Sequence, residues 1–369
     1  MFLAWKELKH NKVRYALIMV LLTLMIFLVL FLSGLAKGLS AATSSAIDNA
    51  SADYYILEDS ADNLIPRSSL TAEEFNRIKE FVSNATPINI NRSAATRNET
   101  TTKLDITYMG IDTEDFLMPK VIEGSKITGA GQIVLNNSFL EEGFQIGDLL
   151  KDAQTGYEME VVGFTKNQMY GHSSIGVVSL ETYEEIQKLY TGRDTISYQA
   201  AAIKPGSSEI NYTELKNFVE NNLKETIVLT KSEVISHIPG HSQEQSTILM
   251  MLVFLLLISS FIVGVFFYVT TMQKIPQFGV LKAVGAKMST LVWSLTAQVL
   301  LLSGISMIIG NLLTFAMASA LPPTMPFVLA PANAALVSVL FIVISLLTSL
   351  FSMAKVARVD ALTAIGGNE

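Results

Sequence analysis

The stretch Gly171-His172-Ser173-Ser174-Ile175-Gly176 comes nearest to a catalytic motif, since a serine between glycines at a strand-to-helix turn is the nucleophile of GxSxG hydrolases. Here the glycines stand one residue too far apart, and a polar turn leading into a strand accounts for the same residues. His237-Ile238-Pro239-Gly240-His241 places two histidines at i and i+4, the spacing of zinc ligands on a helix. Pro239-Gly240 breaks such a helix, and no HExxH glutamate accompanies the pair. The sequence has no cysteine, which excludes disulfides, thiol catalysis, Cys-based zinc sites and CxxCH haem attachment. It also has no GxxxxGK[ST], so the chain cannot by itself cradle ATP phosphates. No catalytic residue and no metal site of its own is expected, and any ATP-derived energy has to come from another chain.

Histidine and tyrosine can both ligate haem iron, and aromatic side chains pack against a flat porphyrin. His172, His237 and His241 are candidates for such a role, with Tyr170 beside the first and Glu244 close after the last. Phe27 and Phe31 lie in the first apolar run and could supply a packing face. Surface histidines and lipid-facing phenylalanines account for the same pattern, so composition leaves both readings open.

The elements that must carry these residues are of two kinds. Half of the 369 residues are apolar and only 16% are charged, with a mean hydropathy of +0.40, outside the usual balance of a soluble protein. Uncharged runs occupy residues 15–36, 245–273 and 288–354. At about 1.5 Å of helical rise per residue, the first spans a hydrocarbon core of about 30 Å once, and the last is long enough for two spans. Leu321-Pro322-Pro323-Thr324-Met325-Pro326 and Pro331 supply the break. A polytopic α-helical membrane protein is expected, with transmembrane helices at 15–36, 245–270, 288–320 and 333–354. A large α/β extracytoplasmic domain occupies 37–244, a cytoplasmic segment 271–287, an external Pro-rich loop 321–332 and a cytoplasmic tail 355–369. Residues 1–14 interleave Phe2, Leu3, Trp5 and Leu8 with Lys6, Lys9 and Lys12, as an amphipathic helix on the inner membrane surface would, or a plain charged flank. The first run exceeds the usual signal-peptide length, so it is read as a retained helix.

Charge sets the orientation. The segments 1–14, 271–287 and 355–369 together hold nine basic against three acidic groups, a net +6, whereas 37–244 carries a net −13. Both termini are therefore expected in the cytoplasm and the acidic domain outside. Within that domain, strands are expected at 52–57, 105–109, 132–135, 158–162 and 176–178. Helices are expected after Thr71, Ser179 and Asn211, each with a capping residue before acidic first-turn positions.

One span, a large external domain and three further spans is the layout of permeases of the MacB/FtsX type. Gln273–Ala286, with Phe278-Gly279-Val280-Leu281-Lys282-Ala283-Val284-Gly285-Ala286, resembles that family's "IGVLKAIGA" segment. Val359-Asp360-Ala361-Leu362-Thr363-Ala364-Ile365 is similar to its closing "VDPIEAI", with Ala361 where proline is usual, and residues 132–137, 147–150 and 161–164 resemble its external core domain. Met169–Ile175, Phe267–Ile275, Thr324–Phe327 and Ala364–Gly367 further resemble the Hrt-type haem exporter permeases of Gram-positive bacteria.

This resemblance implies a homodimer bound to two copies of a separate HrtA-like ATPase. That subunit binds ATP and Mg, and the complex removes haem from the plasma membrane as a transported substrate. Haem and membrane lipids are then the expected partners, with no nucleic acid. The implied haem site, near the outer leaflet, maps to Phe31, Tyr170 and His241, with Glu244 in reach. His241 stands where a relative has tyrosine, which leaves the axial ligand open. Pro276, Phe278, Gly279, Leu281, Lys282 and Gly285 are expected to form the segment that docks on the ATPase. The same layout also suits a permease for a lipid, peptide or drug, or an FtsX-type transmitter that activates a cell-wall hydrolase.

Overall fold

The computed structural model describes residues 12–97, 102–192, 197–204, 211–277, 280, 284, 288–322 and 325–356. The chain divides into two compact units, residues 1–38 with 246–369, and residues 39–245. Helices α1 (Lys12–Asp48) and α7 (His241–Met272) contribute residues to both.

In the first unit the long helices are α1, α7, α8 (Met288–Ala320) and α9 (Pro331–Val356). The first three are long and apolar enough to cross a membrane, and α9 carries a shorter apolar stretch, Pro331–Leu347. Tyr15, Ile18, Leu22, Ile26 and Leu30 recur at helical spacing on α1 and are buried against Val263, Phe267, Val299, Leu302 and Phe341. Leu17, Val20, Leu24 and Leu28 lie on the other side of α1 and are exposed, as lipid contact requires. The break between α8 and α9 falls in the proline-rich segment, as its missing backbone donors predict.

The loop after α8 returns onto α1. Val328 N–H donates to the Gly34 carbonyl at 3.0 Å, and the Phe327 ring lies over Gly34. Gly38 abuts the Pro326 backbone, so both glycines are needed for close approach.

The second unit is built on an eleven-stranded mixed sheet. The strands of this unit in chain order are β1 (Tyr54–Glu58), β2 (Leu70–Thr71), β3 (Ala85–Arg97), β4 (Leu104–Ile111), β5 (Val121–Gly124), β6 (Gln132–Asn136), β7 (Leu149–Asp152), β8 (Glu158–Thr165), β9 (Met169–Tyr170), β10 (Ser173–Ser179), β11 (Ser197–Tyr198), β12 (Ala200–Ile203) and β13 (Thr226–Thr230). The order is β13-β1-β12-β3-β4-β10-β6-β8-β5, with β7 bridging β3 and β8, and β9 added to β10. β2 and β11 form a separate pair. β10 runs parallel to β4, and β6 parallel to β8.

Helices α2 (Ala72–Phe81), α3 (Ser138–Glu141), α4 (Leu180–Thr191), α5 (Tyr212–Asn222) and α6 (Lys231–His237) accompany the sheet. Thr71, Asn211 and Thr230 each close a capping box with the glutamate three residues on, and Ser179 caps α4. Apolar residues of α2 and α5 (Phe75, Ile78, Leu215, Val219) pack with Ile56 and Ala201 of the sheet. Tyr183 and Ile186 of α4 pack with Tyr108, Ile133 and Val178. Ala46 and Ile47, at the end of α1, pack into a third cluster with Tyr55, Ile90, Tyr170 and Ile175.

Several features go beyond the sequence expectation, strands β5, β7 and β12 among them. Helix α1 runs on past the apolar stretch to Asp48 despite the weak helix formers Gly38, Ser40 and Ser45, because the Thr43 and Ser44 hydroxyls bond back to the Leu39 and Ser40 carbonyls and Ala46 and Ile47 are buried in the domain core. The thirteen-residue strand β3 is not among the expected strands, and its Pro87, Asn89 and Asn91 are poor strand formers. β13 and α6 also lie in a stretch for which the sequence suggests no element.

Candidate site at the end of helix α1

Strands β9 and β10 form a hairpin with Tyr170 opposite Ser173. Its two turn residues, Gly171 (φ 56°) and His172 (φ 63°), both adopt the left-handed conformation that a two-residue turn of this hand demands. The GxSxG-like stretch is thus a polar hairpin turn. Its tip is fastened to α1, where Gly171 N–H donates to the Thr43 carbonyl at 2.8 Å and His172 N–H to the Ala42 carbonyl at 3.1 Å.

This docking brings His172 to Glu244. Nε2 of His172 lies 2.8 Å from Oε1 of Glu244. A carboxylate can only accept, so Nε2 carries the hydrogen and Nδ1 is the nitrogen left for other work. Thr43 Oγ1 sits 3.2 Å from the other carboxylate oxygen and 3.4 Å from His172 Nε2, and 2.9 Å from the Leu39 carbonyl. Both side chains keep substantial solvent exposure, 41% for His172 and 32% for Glu244.

His241 begins α7, after Gly240 in a left-handed conformation (φ 87°), and belongs to the same unit as the domain. It is buried, and Nδ1 has no hydrogen-bond partner among the described residues. Burial pulls its pKa below the ordinary value, opposed by the carboxylates of Glu244 and Asp48. The ring is thereby held neutral.

Tyr170 lies in the core cluster with Ala46 and Ile47, and burial pushes its phenol well above the ordinary range. It keeps its proton at neutral pH. His237 ends α6 and is engaged at both nitrogens, Nδ1 donating to the Glu233 carbonyl at 2.8 Å and Nε2 accepting from Asn63 at 3.0 Å. Pro239 and Gly240 lie between the two helices that carry His237 and His241, so no single helix presents that pair.

In the first unit, Phe27 and Phe31 stack with centroids 5.8 Å apart, and Phe31 meets Phe327 at 5.2 Å. Pro276 is exposed just beyond α7. Phe278, Gly279, Leu281, Lys282 and Gly285 lie outside the described residues. Sequence reasoning missed Thr43, whose signal was the uninterrupted helix-compatible run after residue 38.

Among solved structures, the periplasmic region of MacB from Actinobacillus actinomycetemcomitans is similar at 15% identity and TM-score 0.38, over 51% of this chain and 92% of that one. The extracellular domain of the noncanonical ABC-type transporter YknZ from Gram-positive bacteria is similar at 19% identity and TM-score 0.33, over 44% and 89%. Two full-length relatives carry the name "Putative hemin transport system permease protein HrtB". One, from Staphylococcus haemolyticus, is 29% identical over 370 residues, and the other, from Staphylococcus epidermidis, 28% over 369, each covering 100% of both chains. The MacB-like periplasmic core domain matches residues 15–212, more than half of the chain, and the FtsX-like permease C-terminal domain matches 249–361. With four apolar helices and an extracytoplasmic α/β domain placed between the first and second, the chain belongs to the MacB/FtsX-type family of ABC transporter permeases.

Proposed function

We propose that this chain is the permease of an efflux pump that exports haem from the plasma membrane of a Gram-positive bacterium. A homodimer works with two copies of a separate HrtA-like ATPase that binds ATP and Mg. Both termini lie in the cytoplasm, and residues 37–244 face outward. One observation carries the substrate assignment. His241 is a buried imidazole kept neutral, with an unpartnered ring nitrogen, and neutral imidazole is the form that ligates iron. The names carried by the full-length staphylococcal relatives support the same substrate.

In this reading His241 is the first candidate ligand. His172, with Nε2 committed to Glu244, offers Nδ1 or a polar contact to a haem carboxylate. Tyr170 supports the hairpin from within the core. Phe27, Phe31 and Phe327 provide an aromatic face within the membrane unit. ATP-driven closure reaches the helices through the segment 276–285, where Gly279 and Gly285 permit close approach to the ATPase.

The test is the absorption spectrum of the detergent-purified permease with its ATPase, titrated with haemin. A saturable, shifted Soret band that His241→Ala abolishes is the expected result. Unsaturable partitioning overturns the haem reading and favours a permease for a lipid, peptide or drug. Co-purification of a cell-wall hydrolase under those conditions would instead favour an FtsX-type transmitter. Replacing Gly279 by a bulky residue is expected to leave ATP hydrolysis intact and stop export.

A further inference from the structure

The second unit contains a cavity of about 340 Å³, formed where the end of α1 meets the connection from β4 to β5 and the short turn from β8 to β9. That volume lies at the lower end of the range of small-ligand pockets, about 300–1,000 Å³. Hydrogen bonds between the three segments fix its walls. Asn49 Nδ2 donates to the Asn167 carbonyl at 2.8 Å, Thr165 Oγ1 to the Lys120 carbonyl at 3.1 Å, and Met169 N–H to Ser45 Oγ at 3.0 Å. One wall is apolar. Phe116 and Met118 pack against the core cluster behind them, and the exposed Ile122 of β5 extends the same lining.

Three polar side chains give the cavity its chemistry. Gln168 is 6% exposed and lines it, yet its side-chain amide has no hydrogen-bond partner among the described residues and is not sealed inside protein. An amide this buried is costly unless something entering the cavity pairs with it. Lys120 and Lys166 line the same space. Val121 pairs with Thr165 in the antiparallel ladder of β5 and β8, so one step outward that register sets the two lysines opposite each other. Like charges in that position repel. Neither lysine has an ion-pair partner, and no acidic residue among the described residues lines the cavity, although residues 37–244 carry a net −13. The carbonyls of Asp48 and Ala50, at the negative end of α1, accept from Lys231 Nζ at 3.2 and 2.7 Å, so the helix end does not oppose an anion.

We propose that this cavity binds a small organic anion with an apolar body, in the simplest case an arylalkyl carboxylate. Lys120 and Lys166 receive its charge, and their mutual repulsion is relieved. The Gln168 amide N–H donates to the same headgroup, and the body lies on the wall of Phe116, Met118 and Ile122. The bound anion ties the end of α1 to the two connections of the sheet. The cavity shares no residue with the haem candidates, so the site stands independently of the haem reading.

The full-length permease in nanodiscs would be titrated calorimetrically at neutral pH with phenylpropionate, with the neutral phenylpropanol and with acetate. Phenylpropionate is expected to saturate one site per chain. The other two, lacking either the charge or the apolar body, are expected to bind at least about tenfold more weakly. Lys120→Gln combined with Lys166→Gln is expected to erase the preference for acid over alcohol, and Lys120→Arg combined with Lys166→Arg to keep it. The glutamine pair should melt no lower than the wild type, because both lysines are exposed and a like-charge contact is removed. In the wild type, rising salt should weaken binding of the acid and not of the alcohol, a readout that needs no variant. No saturable binding of phenylpropionate, equal binding of phenylpropanol or acetate, salt-insensitive affinity, or an unchanged acid preference in the glutamine pair would each overturn the site.

Discussion

His172 Nε2 and Glu244 Oε1 lie 2.8 Å apart although 72 residues separate them in the chain. The hairpin turn of β9 and β10 is held on α1 by two backbone hydrogen bonds, and that attachment brings the imidazole to the carboxylate at the start of α7. A polar contact this exposed contributes little to stability, about 0–1 kcal/mol. Its value lies in orienting the ring.

The first prediction follows from that pair. His172→Gln and Glu244→Gln are each expected to lower haemin affinity about tenfold, or ~1.4 kcal/mol. The double variant should lose less than the sum, because each substitution removes the same contact. A haemin titration followed at the Soret band measures this. Fully additive losses would mean that the two side chains act separately.

The second concerns pH. The folded-state pKa of His241 lies below its unfolded value, so the unfolded chain binds the proton first as pH falls. Its contribution is fully present above about pH 6.5, the ordinary histidine value, and is lost as pH falls from there through the lowered folded pKa. The melting temperature of the full-length protein should therefore drop between neutral and mildly acidic pH, and His241→Gln should flatten that slope. An identical slope in the variant would assign the pH dependence to other groups.

The membrane spans were legible because uncharged runs of bilayer length seldom occur outside membranes, and the capped helices after Thr71, Ser179 and Asn211 because capping is local chemistry. Strand β3 was not legible. Its asparagines argue against a strand, yet Asn89 is almost fully buried, where its side-chain oxygen accepts from the Gln199 N–H at 2.7 Å. That is a tertiary contact between residues 110 apart. At the site, the residue types were visible and their grouping was not. His172 and Glu244 meet only because α1 extends past the membrane run to offer Thr43 and Ala42, and no spacing rule encodes that. His237, equally conspicuous in sequence, is committed to Glu233 and Asn63.

The third prediction tests the close approach of α1 to the loop between α8 and α9. A Cβ at Gly38 would run into the Pro326 backbone, which cannot swing aside as a flexible side chain can. Gly38→Ala is expected to destabilise the permease by about 1–3 kcal/mol. Gly304 of α8 has nothing within 4 Å of a new Cβ, so Gly304→Ala should be neutral or slightly stabilising. Thermal unfolding of both variants in one detergent makes the comparison. Equal melting temperatures would remove the packing role of Gly38.

The last prediction concerns Asp152 of β7, which is fully buried. Oδ1 accepts from the Gln154 and Thr155 N–H groups at 3.1 and 2.7 Å and from Thr155 Oγ1 at 2.7 Å. Oδ2 accepts from Ser93 Oγ of β3 at 2.6 Å, and Tyr190 of α4 donates in turn to Ser93 at 2.9 Å. Burial pushes the nearby Tyr108 phenol upward, and the Asp152 carboxylate adds to the shift, so that hydroxyl stays protonated. One buried acceptor thus ties together β3, β7 and, through Ser93, α4. Asp152→Asn keeps the shape but places an amide donor against existing donors, and is expected to cost about 1–3 kcal/mol. Asp152→Ala orphans the Ser93 hydroxyl and the Thr155 N–H as well, and should cost more. Haemin affinity of the folded fraction should stay unchanged in both, since Asp152 makes no contact with His172, His241 or Glu244. Thermal unfolding that ranks wild type above Asn and Asn above Ala, with an unaltered Soret titration, would separate this structural acceptor from the candidate site; a parallel loss of haemin affinity would join them.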